Sequence, residues 1–138
     1  MEEATKFLNR GVVRNDKGEV LLVRLTKEEV GKDGVVLRWI FPGGNLRLTE
    51  SRADCVRRNV LRQTGYDIKV IKQISLRQHP QFPVFVASHL CKLESPEQKE
   101  KNPGVGEIAE VRWVKPAEVL ELVTTDIDPD VKRELGIK

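Results

Sequence analysis

The stretch Trp39-Ile40-Phe41-Pro42-Gly43-Gly44-Asn45-Leu46-Arg47-Leu48-Thr49-Glu50-Ser51 runs on into a periodic segment that ends at Thr64-Gly65. It reads as a strand over 35–41, a Pro-Gly-Gly turn, a loop without a clear assignment at 45–49, and a helix. The spacing predicts that helix over 50–64, because Ala53, Val56, Val60 and Thr64 recur at three- and four-residue steps and form one stripe. Thr49 is the expected N-cap, Glu50 suits the positive end of the helix dipole, and Gly65 stands where a helix-terminating glycine belongs. Paired glycines let backbone N–H groups approach a ligand closely, and a loop entering a helix can build an anion or metal-phosphate site.

Working outward, Phe7 to Arg14 and Glu19 to Arg24 read as strands around the turn Asn15-Asp16-Lys17-Gly18, which predicts a hairpin over 7–24. Thr26 to Gly34 is polar and reads as a loop. Strands follow at 67–76 and 84–93, then a polar loop at 94–106 and a strand at 107–114. A short helix at 116–122 starts on Pro116, and a last helix is expected over about 128–135. No repeat, low-complexity tract or linker interrupts the 138 residues, so the expectation is a single α/β domain.

Composition narrows the classes. With 39% hydrophobic and 33% charged residues the chain can bury a core, which excludes wholesale disorder. No apolar run approaches the roughly 18–20 residues of a membrane span. Met1-Glu2-Glu3 is acidic where a signal peptide is basic, and Cys55 and Cys91 sit inside predicted regular structure. Reduced, buried thiols and a cytoplasmic location are therefore expected. The net charge of +3 is unevenly spread: residues 38–77 carry nine basic and three acidic side chains. Such an arginine excess suits an anionic ligand, phosphate above all, or else a solvated helix face.

On these residues the chain resembles the Nudix (MutT-like) hydrolase family, whose box is G-x5-E-x7-R-E-U-x-E-E-x-G-U with U a bulky aliphatic. Gly44, Glu50, Arg58, Val60 and Gly65 fall on the pattern, and Tyr66 takes the final aliphatic place. Trp39 before Phe41-Pro42-Gly43-Gly44 looks like the family's usual strand end, and Glu107 to Pro116 like its last strand entering a helix. The resemblance covers about residues 7–123, with the box at 44–66. It implies an α/β/α sandwich, a mixed sheet between helices.

The resemblance also implies Mg²⁺- or Mn²⁺-assisted hydrolysis of a nucleoside diphosphate linked to another group, with box glutamates holding the metal. Those glutamates fall at positions occupied here by Asn59, Arg62 and Gln63. Two amides and a cation replace three carboxylates on one helix face. At about 4 Å two unit charges repel by roughly 4 kcal/mol at an effective dielectric near 20, and a divalent ion feels about double. No confident catalytic set follows from the degenerate positions Glu50, Arg58, Asn59, Arg62 and Gln63. Glu50 and Glu107 are weak metal candidates, each read first as a structural partner, Glu50 of Arg58 and Glu107 of a neighbouring loop. An eight-residue separation spans about 12 Å of helix axis, so Glu50 reaches Arg58 only from outside a straight helix.

The family's cleft implies ligand contacts at Arg24, Arg38, Gly43, Gly44, Arg47, Arg62 and Arg77. His79 and His89 lack ligand-spaced partners and read as surface or packing residues, Cys55 as packing, and Trp39 and Trp113 as core. Three functions stay open. The first is a pocket that binds a nucleotide or similar phosphorylated small molecule without efficient hydrolysis. The second is an altered Mg²⁺- or Mn²⁺-dependent hydrolase using Glu50 and Glu107, or Asp126, Asp128 and Asp130. The third is an RNA- or protein-interaction module on the basic segment, against which the 5% aromatic content argues. A homodimer is in keeping with the family, but no residue indicates it. Metal-dependent turnover separates the first two, and salt-sensitive binding without metal marks the first.

Overall fold

The computed structural model describes residues 6–100 and 105–138. Seven strands, β1 (Lys6–Arg14), β2 (Val20–Val30), β3 (Val36–Ile40), β4 (Gly43–Asn45), β5 (Ile68–Gln78), β6 (Val84–Leu93) and β7 (Ile108–Val114), form a mixed sheet. The helices are α1 (Arg52–Thr64), α2 (Pro116–Leu122) and α3 (Pro129–Leu135). The sheet order is β3-β2-β1-β6-β5, with β4 on β1 and β7 on β2.

Strand alternation sends neighbouring residues to opposite faces. Val13 and Leu21 pack under α1 with Val56, Val60, Ile68 and Cys91. Val12, Val20 and Leu22 face the other way, onto Trp39, Val119, Ile127, Val131 and Leu135 of the α2–α3 side. Two cores on either side of one sheet make the α/β/α sandwich expected from sequence.

Several local expectations change. The 7–24 hairpin survives only at its turn, where Arg14 pairs with Val20. Beyond that point β1 leaves β2 and runs parallel to β6 over its full length, from Lys6↔Val84 to Arg14↔Lys92. The segment read as a loop at 26–34 is mostly strand, because β2 continues to Val30, and a 3-10 turn follows at Lys32–Gly34. The Gly-Gly turn becomes β4, pairing antiparallel with Leu8–Arg10. Only glycine allows this approach at position 43: φ is 155°, and a Cβ there would lie 2.0 Å from the Asn9 carbonyl oxygen.

The first turn of α1 is also shifted. Ser51, not Thr49, is the N-cap, its hydroxyl accepting from the Asp54 N–H at 3.1 Å. Gly65 ends the helix in the left-handed region, as expected. The buried stripe is Cys55, Val56, Asn59, Val60, Gln63 and Thr64, whereas Ala53 is exposed. Arg57, beside that stripe, is drawn off it by a fork-to-fork pair with Asp67 at 2.7 and 2.9 Å. The N-terminal Met1-Glu2-Glu3 and part of the 94–106 loop lie outside the described residues. No helix among the described residues is long and apolar enough to cross a membrane.

Candidate functional site

Where β1 and β2 diverge, a cleft of about 610 Å³ opens. Its walls are Leu8 and Arg10 of β1, Leu25 and Glu29 of β2, Leu37 and Ile40 of β3, and Phe82 with Val84; the box side contributes Gly43, Gly44, Gln63 and Glu107. The sequence motif thus forms one side of a cleft whose other side is made by strands distant in the chain.

The box positions form an internally satisfied network. Gln63 is buried, and its side-chain amide clasps the Gly43 backbone at two points: Nε2 donates to the carbonyl and Oε1 accepts from the N–H, both at 3.0 Å. Asn59 is also buried; its Nδ2 donates to the Cys55 carbonyl at 3.0 Å and its Oδ1 accepts from Arg62 at 3.0 Å. Arg62 in turn forms an ion pair with Glu107 at the rim. Glu107 therefore pairs with the box helix rather than with a neighbouring loop.

Glu50 lies in the loop before α1 and meets Arg58 at 2.6 and 2.9 Å. The later helix start is what brings the two within reach. Hydrogen bonds from Arg58 hold the Glu50 carboxyl down at about 2, with the Arg47 N–H helping. Cys55, behind this pair, is buried with its thiol toward the Gly44 and Asn45 carbonyls, and burial raises its pKa.

These residues do not fit a divalent metal. Mg²⁺ and Mn²⁺ take hard oxygen ligands, mainly carboxylates and water. Two of the three glutamate positions offer amides already bonded within the fold, and the third places a guanidinium there. Both nearby carboxylates, Glu50 and Glu107, are held by arginines. Among the described residues no three His, Cys, Asp or Glu side chains are grouped to hold an ion. Asp126 and Asp128 pair with Arg77, and Asp130 with Arg133.

Of the arginines expected around the ligand, Arg24 stands outside the cleft, paired with Glu110 at 3.3 Å. Arg38 is turned away onto Glu28 at 2.8 Å. Arg47 is exposed on the loop before α1, outside the cleft lining. Arg77 reaches an inner extension of the cleft but is tied to Asp126 at 2.7 Å. Gly43 and Gly44 do line the cleft. His89 is buried with Nε2 3.0 Å from Asn9 Oδ1, and His79 is half-buried, accepting from the Gln81 N–H. Trp39 is in the core with Arg112 stacked on it at 4.7 Å.

Arg10 was not singled out by the motif. It lines the cleft, and among the described residues its guanidinium makes one long hydrogen bond, 3.4 Å to the Gly43 carbonyl, and no ion pair. A signal existed: Leu8, Arg10 and Val12 alternate onto one face of a strand, so a cation occupies an inward-facing place.

The comparisons with known proteins agree with this architecture. A family model for the NUDIX domain matches residues 9–135. No curated protein matches the chain. A NUDIX hydrolase from Nitrosomonas europaea superposes with a TM-score of 0.73 at 17% identity, covering 99% of this chain and 73% of that one. The MutT protein of Methanosarcina mazei Go1 does so at 0.65 and 22% identity, covering 98% and 92%. An ADP-ribose pyrophosphatase from Streptococcus suis does so at 0.60 and 20%, covering 83% and 76%. At these identities the solved structures speak for the fold alone, and the family model spans nearly the whole chain: the protein belongs to the NUDIX domain family.

Proposed function

We propose that this NUDIX-fold protein binds a nucleotide or nucleoside-diphosphate-type ligand in the β1–β2 cleft, without a divalent metal and without efficient hydrolysis. The observation that supports this reading is the network at the box: Gln63 on Gly43, Asn59 on Cys55, and Arg62 on both Asn59 and Glu107. Each group that would face a metal is a donor or an amide engaged by its neighbours. The cleft itself keeps features that suit a nucleotide, namely apolar walls including Phe82, and the cations Lys6 and Arg10.

Calorimetry with ADP-ribose, the compound in the name of the Streptococcus suis relative, and with nucleoside diphosphates is the direct test, run with and without EDTA. The expected result is binding that EDTA leaves unchanged and that weakens as ionic strength rises. A parallel phosphate-release assay with Mg²⁺ and Mn²⁺ should show no turnover near that of an intact-box relative. Efficient metal-dependent turnover, lost in Glu50→Gln or Glu107→Gln, would replace this reading with that of an active hydrolase. Absence of binding would leave the RNA- or protein-interaction module.

A further inference from the structure

Behind the main cleft, between β3, β6 and the α2–α3 side, lies an inner pocket of about 120 Å³. Its lining is mostly apolar, including Leu37, Phe41, Val86 and Ile127, with Ser88, His79 and the ion-paired Arg77 and Asp128 beside Arg10 and Glu29 as its polar groups. Arg10 lines both this pocket and the outer cleft, and so stands at the junction between them.

Two observations make this junction a binding site rather than leftover space. The first is the state of Arg10. A guanidinium carries five donors, and among the described residues this one uses a single donor, at 3.4 Å to its own sheet neighbour. Its burial lowers its pKa to about 10, so it remains charged at neutral pH, and Glu29 and Glu107 act on it only through the field. A half-buried cation without an ion-pair partner favours an incoming anion, because part of its desolvation cost is already met in the free protein. Arg62, by contrast, is already neutralised by Glu107.

The second observation is the size of the pocket. A cavity of about 150 Å³ lined by aliphatic groups holds one benzene. At about 120 Å³ the inner pocket has room for one six-membered ring and not for two fused rings. A purine would leave its second ring at the mouth, beside Arg10 and Glu29, where it competes with the phosphate for the guanidinium.

Resting on the reading that the cleft binds nucleotides, we propose that Arg10 is the residue that recognises the ligand's phosphate and that the inner pocket selects a single-ring base, making the ligand a pyrimidine nucleotide. The phosphate meets the guanidinium at the junction, and the base enters the apolar pocket beside Phe82.

Calorimetry in EDTA with uridine diphosphate, adenosine diphosphate and inorganic pyrophosphate tests both parts, on the wild type and on Arg10→Gln, Arg10→Lys and Arg62→Gln. The wild type should bind uridine diphosphate about tenfold more tightly than adenosine diphosphate. Arg10→Gln should weaken uridine diphosphate and pyrophosphate about 10- to 100-fold, and by more than Arg62→Gln does. If Arg10→Gln does not fold, Arg10→Lys serves: it keeps the charge but not the planar fork, and should lose about tenfold while retaining salt sensitivity. Equal affinity for the two nucleotides overturns the base selection. Unchanged binding by the Arg10 variants, or loss in Arg62→Gln instead, overturns the role of Arg10. Arg10-dependent binding of pyrophosphate alone overturns the nucleotide reading and the base selection while upholding Arg10 as the anion receptor. A wild type that binds none of the three overturns the whole proposal.

Discussion

Gln63 shows how a single atom type decides what the box can do. Its amide both donates to and accepts from the Gly43 backbone, a pairing that a carboxylate cannot make because it has no N–H. Gln63→Glu should therefore leave the Gly43 carbonyl without its buried donor and set a carboxylate in its place. A loss of about 1–3 kcal/mol in urea unfolding is expected, and an unchanged midpoint would show that the clasp contributes nothing. The same logic extends to the three box positions together. Asn59→Glu, Arg62→Glu, Gln63→Glu in one chain should bind Mn²⁺ measurably by electron paramagnetic resonance, where the wild type should show only free Mn²⁺. Restored hydrolysis is not required by this, since the partners that orient such ligands are a separate matter.

At the scale of elements, α1 and β4 are held to each other and to β1. The cap at Ser51 starts α1 late enough for Glu50 to fold back onto Arg58. Ser51→Ala should cost about 1 kcal/mol of stability, the usual loss for an N-cap hydroxyl. Gly43→Ala should cost more than about 2 kcal/mol, because it adds backbone strain to a direct clash with the Asn9 carbonyl. The order of the two thermal midpoints is the check: a Gly43→Ala protein at least as stable as Ser51→Ala would mean that β4 is not pressed against β1 as described. Glu50→Gln should leave α1 intact but loosen the loop at 46–49, readable as faster amide exchange at Arg47, whose N–H now bonds the carboxylate at 3.2 Å.

For the whole molecule, titration predicts two acid steps. Burial lowers the pKa of His89, and of His79, where neighbouring Arg77 adds to the effect. The unfolded chain then binds more protons than the folded one below the ordinary histidine value of 6.5, so stability falls as pH drops through that point. The second step belongs to Glu50, held at about 2 by Arg58, and Asp67, held at about 2 by Arg57 and also by Lys99. Their contribution is complete above the unfolded carboxylate values of about 4 and is lost as pH falls from there toward 2. Urea midpoints measured from pH 7.5 to 2.5 should decline in both windows. Asp67→Asn should flatten the lower one, and a flat profile below pH 4 in the wild type would refute the assignment.

Sequence alone settles what is local or motif-bound. The spacing from Gly44 through Glu50, Arg58, Val60 and Gly65 named the family, and the alternation and helical periods placed nearly every element. Asn59, Arg62 and Gln63 already put two amides and a cation where the resemblance implied carboxylates. The tertiary structure decided what those residues do instead. Period-2 patterning says that β1 is half-buried but not which strands flank it, so its parallel pairing with β6 and its departure from β2 were not legible. That departure creates the cleft. Partner choice was equally hidden: Arg62 to Glu107 spans 45 residues and Arg24 to Glu110 spans 86, and charge counts cannot tell a paired arginine from a free one. Arg10 is the clearest case. One of three cations in β1, it carried little weight in the sequence, yet in the fold it faces the junction of two cavities, because β4 and β6 close around it and leave its guanidinium with almost nothing to hold.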